Sequence, residues 1–173
     1  MGFKSFFLRP WANQVSKQIG QWSANALKEQ ENIFTQIIRQ GCDTQFGIDH
    51  DFANIKSYED FKQKVPVRDY EGLKTYFDRV VAGESNVLWP GRPRYFAKTS
   101  GTTSGVKYIP ITSDSLPNHF GSARNALFHY FGQTGRGKWL DGKLIFLSGS
   151  PSLDDINGVP TGRLSGISNH LVP

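Results

Sequence analysis

Cysteine and long apolar stretches are nearly absent from this chain of 173 residues. Cys42 is its only cysteine, which excludes an intrachain disulfide framework and a cysteine-rich metal site and fits a reducing compartment. The chain has no run of the ~18 apolar residues that a membrane helix needs. Its opening segment, MGFKSFFLRPW, has too short an apolar core for a signal peptide. These absences predict a cytoplasmic protein with no membrane partner.

The chain also lacks long runs of charged residues of one sign. Twenty Lys and Arg against 15 Asp and Glu give a formal net charge of +5, yet like charges do not gather into a long run. The four histidines are scattered without metalloprotease spacing. Zinc-finger and helix-turn-helix patterns are also missing. We therefore expect no nucleic-acid partner and identify no metal ligands.

The overall composition is that of a globular protein, and the first half of the chain has the apolar spacing of helices. Hydrophobic residues make up 38% of the chain and aromatic residues 13%, which are ordinary values for a folded domain. Helical spacing over Trp11–Gln40 predicts one long helix or two abutting helices, ended by a left-handed Gly41. Ser57 and Asp60 predict a capping box, and Asp69 is expected to cap a helix that reaches Gly83.

Strand patterns follow in the second half. Arg94–Lys98 and Tyr108–Ile111 read as two short strands, and Lys143–Leu147 as a buried one. A further helix is expected from a cap at Thr112 or Ser113 to Phe131. Helices packed on strands in this alternation predict an α/β layer architecture.

Between the first two strands lies the loop TSGTTSGVK, which is rich in hydroxyls and glycine. Glycines let a backbone approach phosphate closely and adopt positive φ, short hydroxyls add donors, and a lysine adds a mobile charge. The spacing differs from that of the nucleoside-triphosphatase phosphate loop. The predicted phosphate-binding residues are Thr99, Ser100, Gly101, Thr102, Thr103, Ser104, Gly105 and Lys107. The alternative, on turn chemistry alone, is an ordinary hairpin turn.

This loop also resembles the phosphate-binding signature of the acyl-adenylate-forming superfamily. The closer resemblance is to the plant auxin-responsive acyl-acid amido synthetases and their bacterial relatives. It extends over Val65–Pro93 and Tyr95–Thr112, and then over the stretches KLIFLSGSP and GRLSGI. The plant members usually carry one more residue between the second glycine of the loop and its lysine, so the path around Val106 is the point of departure.

The resemblance implies an enzyme that uses ATP and Mg²⁺ to adenylate a carboxylic acid, and then joins the acyl group to the amine of an amino acid. It implies an α/β fold with helices packed on a mixed β-sheet. Residues 1–173 would be the N-terminal portion of the large adenylating domain, incomplete at the C-terminus, with the small C-terminal domain absent.

The acidic adenine motif and the ribose aspartate of that family are not found in this sequence. We therefore identify no catalytic residue and expect this chain alone to be inactive. A non-catalytic phosphate- or nucleotide-binding module is the alternative function. The acyl acid, the amine and the oligomeric state stay open.

Two arginines are candidate substrate contacts. Arg163, in GRLSGI, suits a bidentate contact with a substrate carboxylate and suits a position at a helix cap equally well. Around Arg124, the resemblance implies that the helix after the loop forms part of the acyl-acid pocket.

Overall fold

The computed structural model describes residues 3–99, 105–143, 145 and 147–171. Its α-helices are α1 (Phe3–Ala24), α2 (Ala26–Gly41), α3 (Gln45–Asp49), α4 (Tyr58–Lys64), α5 (Lys74–Val81), α6 (Leu116–Thr134) and α7 (Leu164–Ser168). Its strands are β1 (Tyr95–Lys98), β2 (Tyr108–Ile111), β3 (Asp154–Ile156) and β4 (Val159–Gly162). Short 3₁₀ turns cover Phe52–Asn54, Glu71–Leu73 and Lys138–Asp141. In the described part of the chain, no helix is both long and apolar enough to span a bilayer.

The chain forms two compact units, and we name each by its main element. Residues 1–31 and 114–147 make up the helical unit. Residues 32–113 and 148–173 make up the sheet unit. The first boundary between them falls inside α2.

In the helical unit, α1 packs against α6. The core between the two helices consists of Ala12, Val15, Phe128 and Phe131. Gly132 sits at the closest approach, because a Cβ atom there would lie 2.7 Å from the backbone oxygen of Ala12. Such an approach of two helix backbones requires a residue without a side chain.

The sheet unit contains a four-stranded mixed sheet in the order β2-β1-β4-β3. Strands β1 and β2 are antiparallel, with Tyr95 opposite Ile111, while β1 and β4 are parallel, with Phe96 opposite Thr161. Strands β3 and β4 form an antiparallel hairpin. The predicted α/β class with a mixed sheet is therefore confirmed.

Two apolar cores support the sheet unit. One joins α5 to the sheet through Tyr76, Val80, Val87, Phe96 and Val159. The other joins the end of α2 to the following turn through Ile38, Phe52 and Ile55. The first core fixes the position of β1, which is the strand that enters the glycine-rich loop.

Several predicted elements are present, with shifted ends. The long N-terminal pattern forms two abutting helices, α1 and α2, and begins eight residues earlier than expected, at Phe3 rather than Trp11. The predicted left-handed conformation at Gly41 is wrong, since Gly41 is the last helical residue and is not among the glycines with positive φ. The absence of a side chain at Gly41 instead leaves room for the Phe52 ring, because a Cβ atom there would lie 3.2 Å from that ring.

The predicted caps give mixed outcomes. The capping box is present, since Asp60 N–H donates to Ser57 Oγ (3.1 Å) and Ser57 N–H to an Asp60 carboxylate oxygen (2.9 Å). Asp69 Oδ1 accepts from Gly72 N–H (2.8 Å) in the 3₁₀ turn that precedes α5. The cap predicted at Thr112 or Ser113 is wrong: α6 has Ser115 as its N-cap residue and proline in its first turn, a position that suits proline.

The buried strand predicted over Lys143–Leu147 is wrong for the residues that the structure describes. Lys143, Ile145 and Leu147 lie outside any strand, and Leu144 and Phe146 are outside the described residues. Ile145 and Leu147 are 82% and 92% exposed, so they lack the packing of a buried strand.

Candidate phosphate-binding site

The predicted loop connects two paired strands, so its ends are held by a backbone ladder. The last pair of that ladder is Lys98 opposite Tyr108. One step further, the N–H of Thr99 donates to the backbone oxygen of Lys107 over 3.1 Å. This bond closes the neck of the loop. The predicted residues Ser100, Gly101, Thr102, Thr103 and Ser104 lie outside the described residues.

Gly105 has the conformation for which glycine was expected. Its φ is +79°, in the left-handed region that favours glycine. Among the residues that the structure describes, other than its chain neighbours, a Cβ atom there would meet nothing within 4 Å. The glycine is therefore explained by its backbone conformation.

Lys107 lies at the other side of the neck, partly buried. Its Nζ is 5.0 Å from the centroid of the Tyr70 ring, within cation–π range. The Tyr70 hydroxyl oxygen accepts a hydrogen bond from Tyr108 N–H over 3.3 Å. Tyr70 is a neighbour that the sequence analysis missed, because no local pattern links a residue before α5 to the strand after the loop.

A second lysine at the neck has an acidic partner. Lys98, at the end of β1, forms an ion pair with Asp154 at the start of β3, across the intervening strand β4. The hydrogen bond to Asp154 raises the pKa of Lys98. Asp155 Oδ1 accepts from Gly158 N–H over 2.9 Å in the β3–β4 turn. Asp154 thus connects β3 to β1, and Asp155 stabilises the β3–β4 turn.

The two candidate arginines differ in their surroundings. Arg124 lies on α6 in the helical unit, with its guanidinium carbon 5.4 Å from the centroid of the Trp11 ring. Arg163 lies in the sheet unit as the exposed N-cap residue of α7, and its side chain makes no capping bond. Arg163 thus lies at a helix cap, one of its two predicted positions, and its contact with a substrate stays a prediction.

Two histidines contact other groups of the protein. His50 is buried, stacks on Phe46 and has Nδ1 2.8 Å from the Phe46 backbone oxygen. His129 Nδ1 lies 3.2 Å from Ser16 Oγ. Across the residues that the structure describes, His, Cys, Asp and Glu nowhere form a group of three or more that could hold a metal.

A separate cleft of about 520 Å³ lies beside the C-terminal end of α2 in the sheet unit. Its lining includes Phe34, Ile38, Cys42 and Phe52, and none of the predicted site residues. Much of this wall belongs to the core around Phe52. The cleft therefore does not coincide with the predicted phosphate site.

The four-stranded mixed sheet and its helices define an α/β domain, and comparison with known proteins identifies its family. A family model described as the GH3 family N-terminal domain matches residues 15–169. The chain belongs to this family.

Two similar relatives are proteins of Arabidopsis thaliana. The chain is 33% identical over 104 residues to 4-substituted benzoates-glutamate ligase GH3.12, a match that covers 59% of this chain and 18% of that protein. It is 32% identical over 97 residues to indole-3-acetic acid-amido synthetase GH3.15, covering 54% of this chain and 16% of that protein. The chain thus matches less than a fifth of the length of either relative.

Solved structures show the same fold. The GH3.15 acyl acid amido synthetase superposes with a TM-score of 0.76 at 19% sequence identity, over 87% of this chain and 27% of that one. A second structure, AtGH3.15 in complex with 2,4-DB, gives a TM-score of 0.70 at 22% identity, over 85% and 26%.

Proposed function

We propose that residues 1–173 are the N-terminal portion of the adenylating domain of a longer acyl-acid amido synthetase. In that protein the loop Thr99–Lys107 binds the phosphates of ATP. Family membership supports the reaction class, and the geometry of the hairpin supports the role of the loop. The single cysteine, Cys42, supports a cytoplasmic location.

The proposed reaction has two steps. A carboxylate oxygen of the acyl acid attacks the α-phosphorus of ATP, and pyrophosphate leaves with the electron pair of the broken P–O bond. The amine of an amino acid then attacks the acyl carbon, so that an amide forms and AMP departs. Mg²⁺ would arrive with the nucleotide, since we assign it no protein ligands.

The observation that carries the proposal is the closed neck of the loop together with the left-handed conformation of Gly105. The bond from Thr99 N–H to the Lys107 oxygen holds the two ends of the loop together, and the positive φ of Gly105 is a conformation that glycine adopts readily. Backbone amides and hydroxyls between them suit an oligophosphate, and Lys107 adds a positive charge. Their role in catalysis is to hold the departing pyrophosphate as its charge develops.

We also propose the two arginines as substrate contacts. Arg163 is exposed and its side chain forms no capping bond, so its guanidinium is available to a carboxylate. Arg124 lies on α6, the helix that follows the loop, and its guanidinium stacks near Trp11.

The test is an exchange assay on the protein encoded by the complete reading frame that contains this chain. Radiolabel should pass from pyrophosphate into ATP only when a carboxylic acid substrate is supplied, and a panel of aryl and aliphatic acids would identify it. Saturable ATP binding without exchange for any acid in the panel would instead favour the non-catalytic nucleotide-binding module.

A further inference from the structure

Three contacts meet on the ring of Tyr70. The ammonium of Lys107 lies over its face, 5.0 Å from the centroid. Its hydroxyl oxygen accepts from Tyr108 N–H, the residue after Lys107. On the α5 side, Phe77 stacks on it with 4.6 Å between centroids and 17° between planes. One side chain therefore touches both the candidate lysine and the strand that carries it.

The local fold holds this ring in place from two sides. The carboxylate of Asp69 accepts from Gly72 N–H and shapes the 3₁₀ turn that Tyr70 begins. The stack on Phe77 ties the ring to α5, and the hydroxyl bond ties it to β2. Because helix and sheet share an apolar core, the position of the ring is set independently of Lys107.

We infer that Tyr70 is a positioning residue for Lys107, an assignment that rests on the proposed function of the loop. A lysine at a loop neck has many rotamers, and ordering them on phosphate binding costs entropy. An aromatic face attracts the ammonium without using up its three N–H donors. The ring thus confines Lys107 to the neck while leaving its donors to phosphate oxygens.

The position of Lys107 in the ligand-free chain is the first measurement. Protons above an aromatic face resonate upfield, so the Lys107 ε-methylene protons should be shifted upfield in the NMR spectrum, with Lys107→Gln identifying the signal. Tyr70→Leu should return the signal to the position of a free lysine, whereas Tyr70→Phe, which keeps the ring, should preserve the shift. An unshifted Lys107 signal in the wild-type chain would overturn the inference, whether or not Tyr70→Leu folds.

Binding of Mg–ATP to the same 173-residue chain, measured by calorimetry, is the second. A cation–π contact at a partly exposed site predicts a loss of roughly 2- to 5-fold in affinity for Tyr70→Leu. The double variant with Lys107→Gln should bind no more weakly than Lys107→Gln alone. Tighter or unchanged binding by Tyr70→Leu would mean that the ring does not position the lysine for phosphate.

A matched control lies elsewhere in the sheet unit. Lys62 Nζ is 5.8 Å from the centroid of the Tyr58 ring on α4, so Tyr58→Leu removes a similar contact away from the loop. This variant should bind Mg–ATP as the wild type does. If the wild-type chain binds no Mg–ATP, the proposed role of the loop fails, whereas the NMR shift still decides whether Tyr70 holds Lys107.

Discussion

At the scale of single residues, the charge of Lys107 is the first quantity to test. In the complete enzyme, Lys107→Ala removes one preorganised donor to the departing pyrophosphate, which predicts a 10²- to 10³-fold slower adenylation, about 3–4 kcal/mol. The measurement is the ATP–pyrophosphate exchange rate. Lys62→Ala, which removes a lysine paired with Glu59 on α4, is the control and should leave exchange unchanged. An unaltered rate in Lys107→Ala would remove Lys107 from the site.

The bond between Tyr76 and Asp49 makes a second residue-scale prediction, about stability and pH. The buried Tyr76 hydroxyl donates to Asp49 Oδ2 over 2.7 Å, and Gln45 Nε2 donates to Oδ1 over 2.7 Å. These two bonds lower the pKa of Asp49, that of Tyr76 contributing most. A lowered carboxyl pKa stabilises the fold above the unfolded pKa of about 3.9, and the stabilisation is lost as the pH falls through the folded value.

Tyr76→Phe should therefore lower the free energy of unfolding at pH 7 by about 1 kcal/mol, the size of one hydrogen bond. The difference from wild type should shrink at a lower pH, below the depressed folded pKa of Asp49, where this carboxyl is protonated in both proteins. Urea unfolding at the two pH values measures it. Tyr58→Phe, at an exposed ring, serves as the control, and a deficit that stays constant with pH would argue against the carboxylate as the source.

At the scale of elements, two glycines of α6 offer a paired test of helix packing. A Cβ atom on Gly132 would lie 2.7 Å from the Ala12 oxygen and 2.3 Å from Ser16 Oγ, whereas one on Gly121 would meet nothing within 4 Å. Gly132→Ala should destabilise the helical unit by roughly 1–3 kcal/mol through overpacking. Gly121→Ala should stabilise it by up to about 1 kcal/mol through helix propensity. Thermal unfolding of the two variants should give Tm shifts of opposite sign, and equal shifts would mean that α1 and α6 are not in close contact.

Elements set by neighbouring residues were predictable from the sequence, and those set by distant ones were not. The capping box at Ser57 and the two strands around the loop depend on side chains a few positions apart. The start of α6 could not be predicted from spacing because Thr112, Ser113 and Ser115 all qualify as caps, and the helix begins after Ser115. The left-handed conformation predicted for Gly41 is wrong because the glycine there makes room for the Phe52 ring, which is not adjacent in sequence. The contact of Tyr70 with Lys107 joins residues far apart in sequence, so no local spacing reveals it.

The same division applies to the candidate site. The glycine and hydroxyl content of the loop was enough to predict it as a phosphate-binding candidate. Gly105 has the positive φ that glycine was expected to permit. The ion pair of Lys98 with Asp154 crosses β4 and depends on the strand order of the sheet. Strand order follows from the whole unit, which local spacing does not encode.

At the scale of the whole molecule, binding and turnover should separate. Holding an oligophosphate needs one loop and one lysine, but adenylation also needs the carboxylate placed in line with the α-phosphorus. The chain matches 18% of the length of GH3.12, and we propose that the remainder of the complete protein supplies that placement. The 173-residue chain should therefore bind Mg–ATP saturably yet give no pyrophosphate exchange, while the complete protein does both. Exchange by the short chain would show that its own residues suffice for the chemistry and would refute its assignment as a partial adenylating domain.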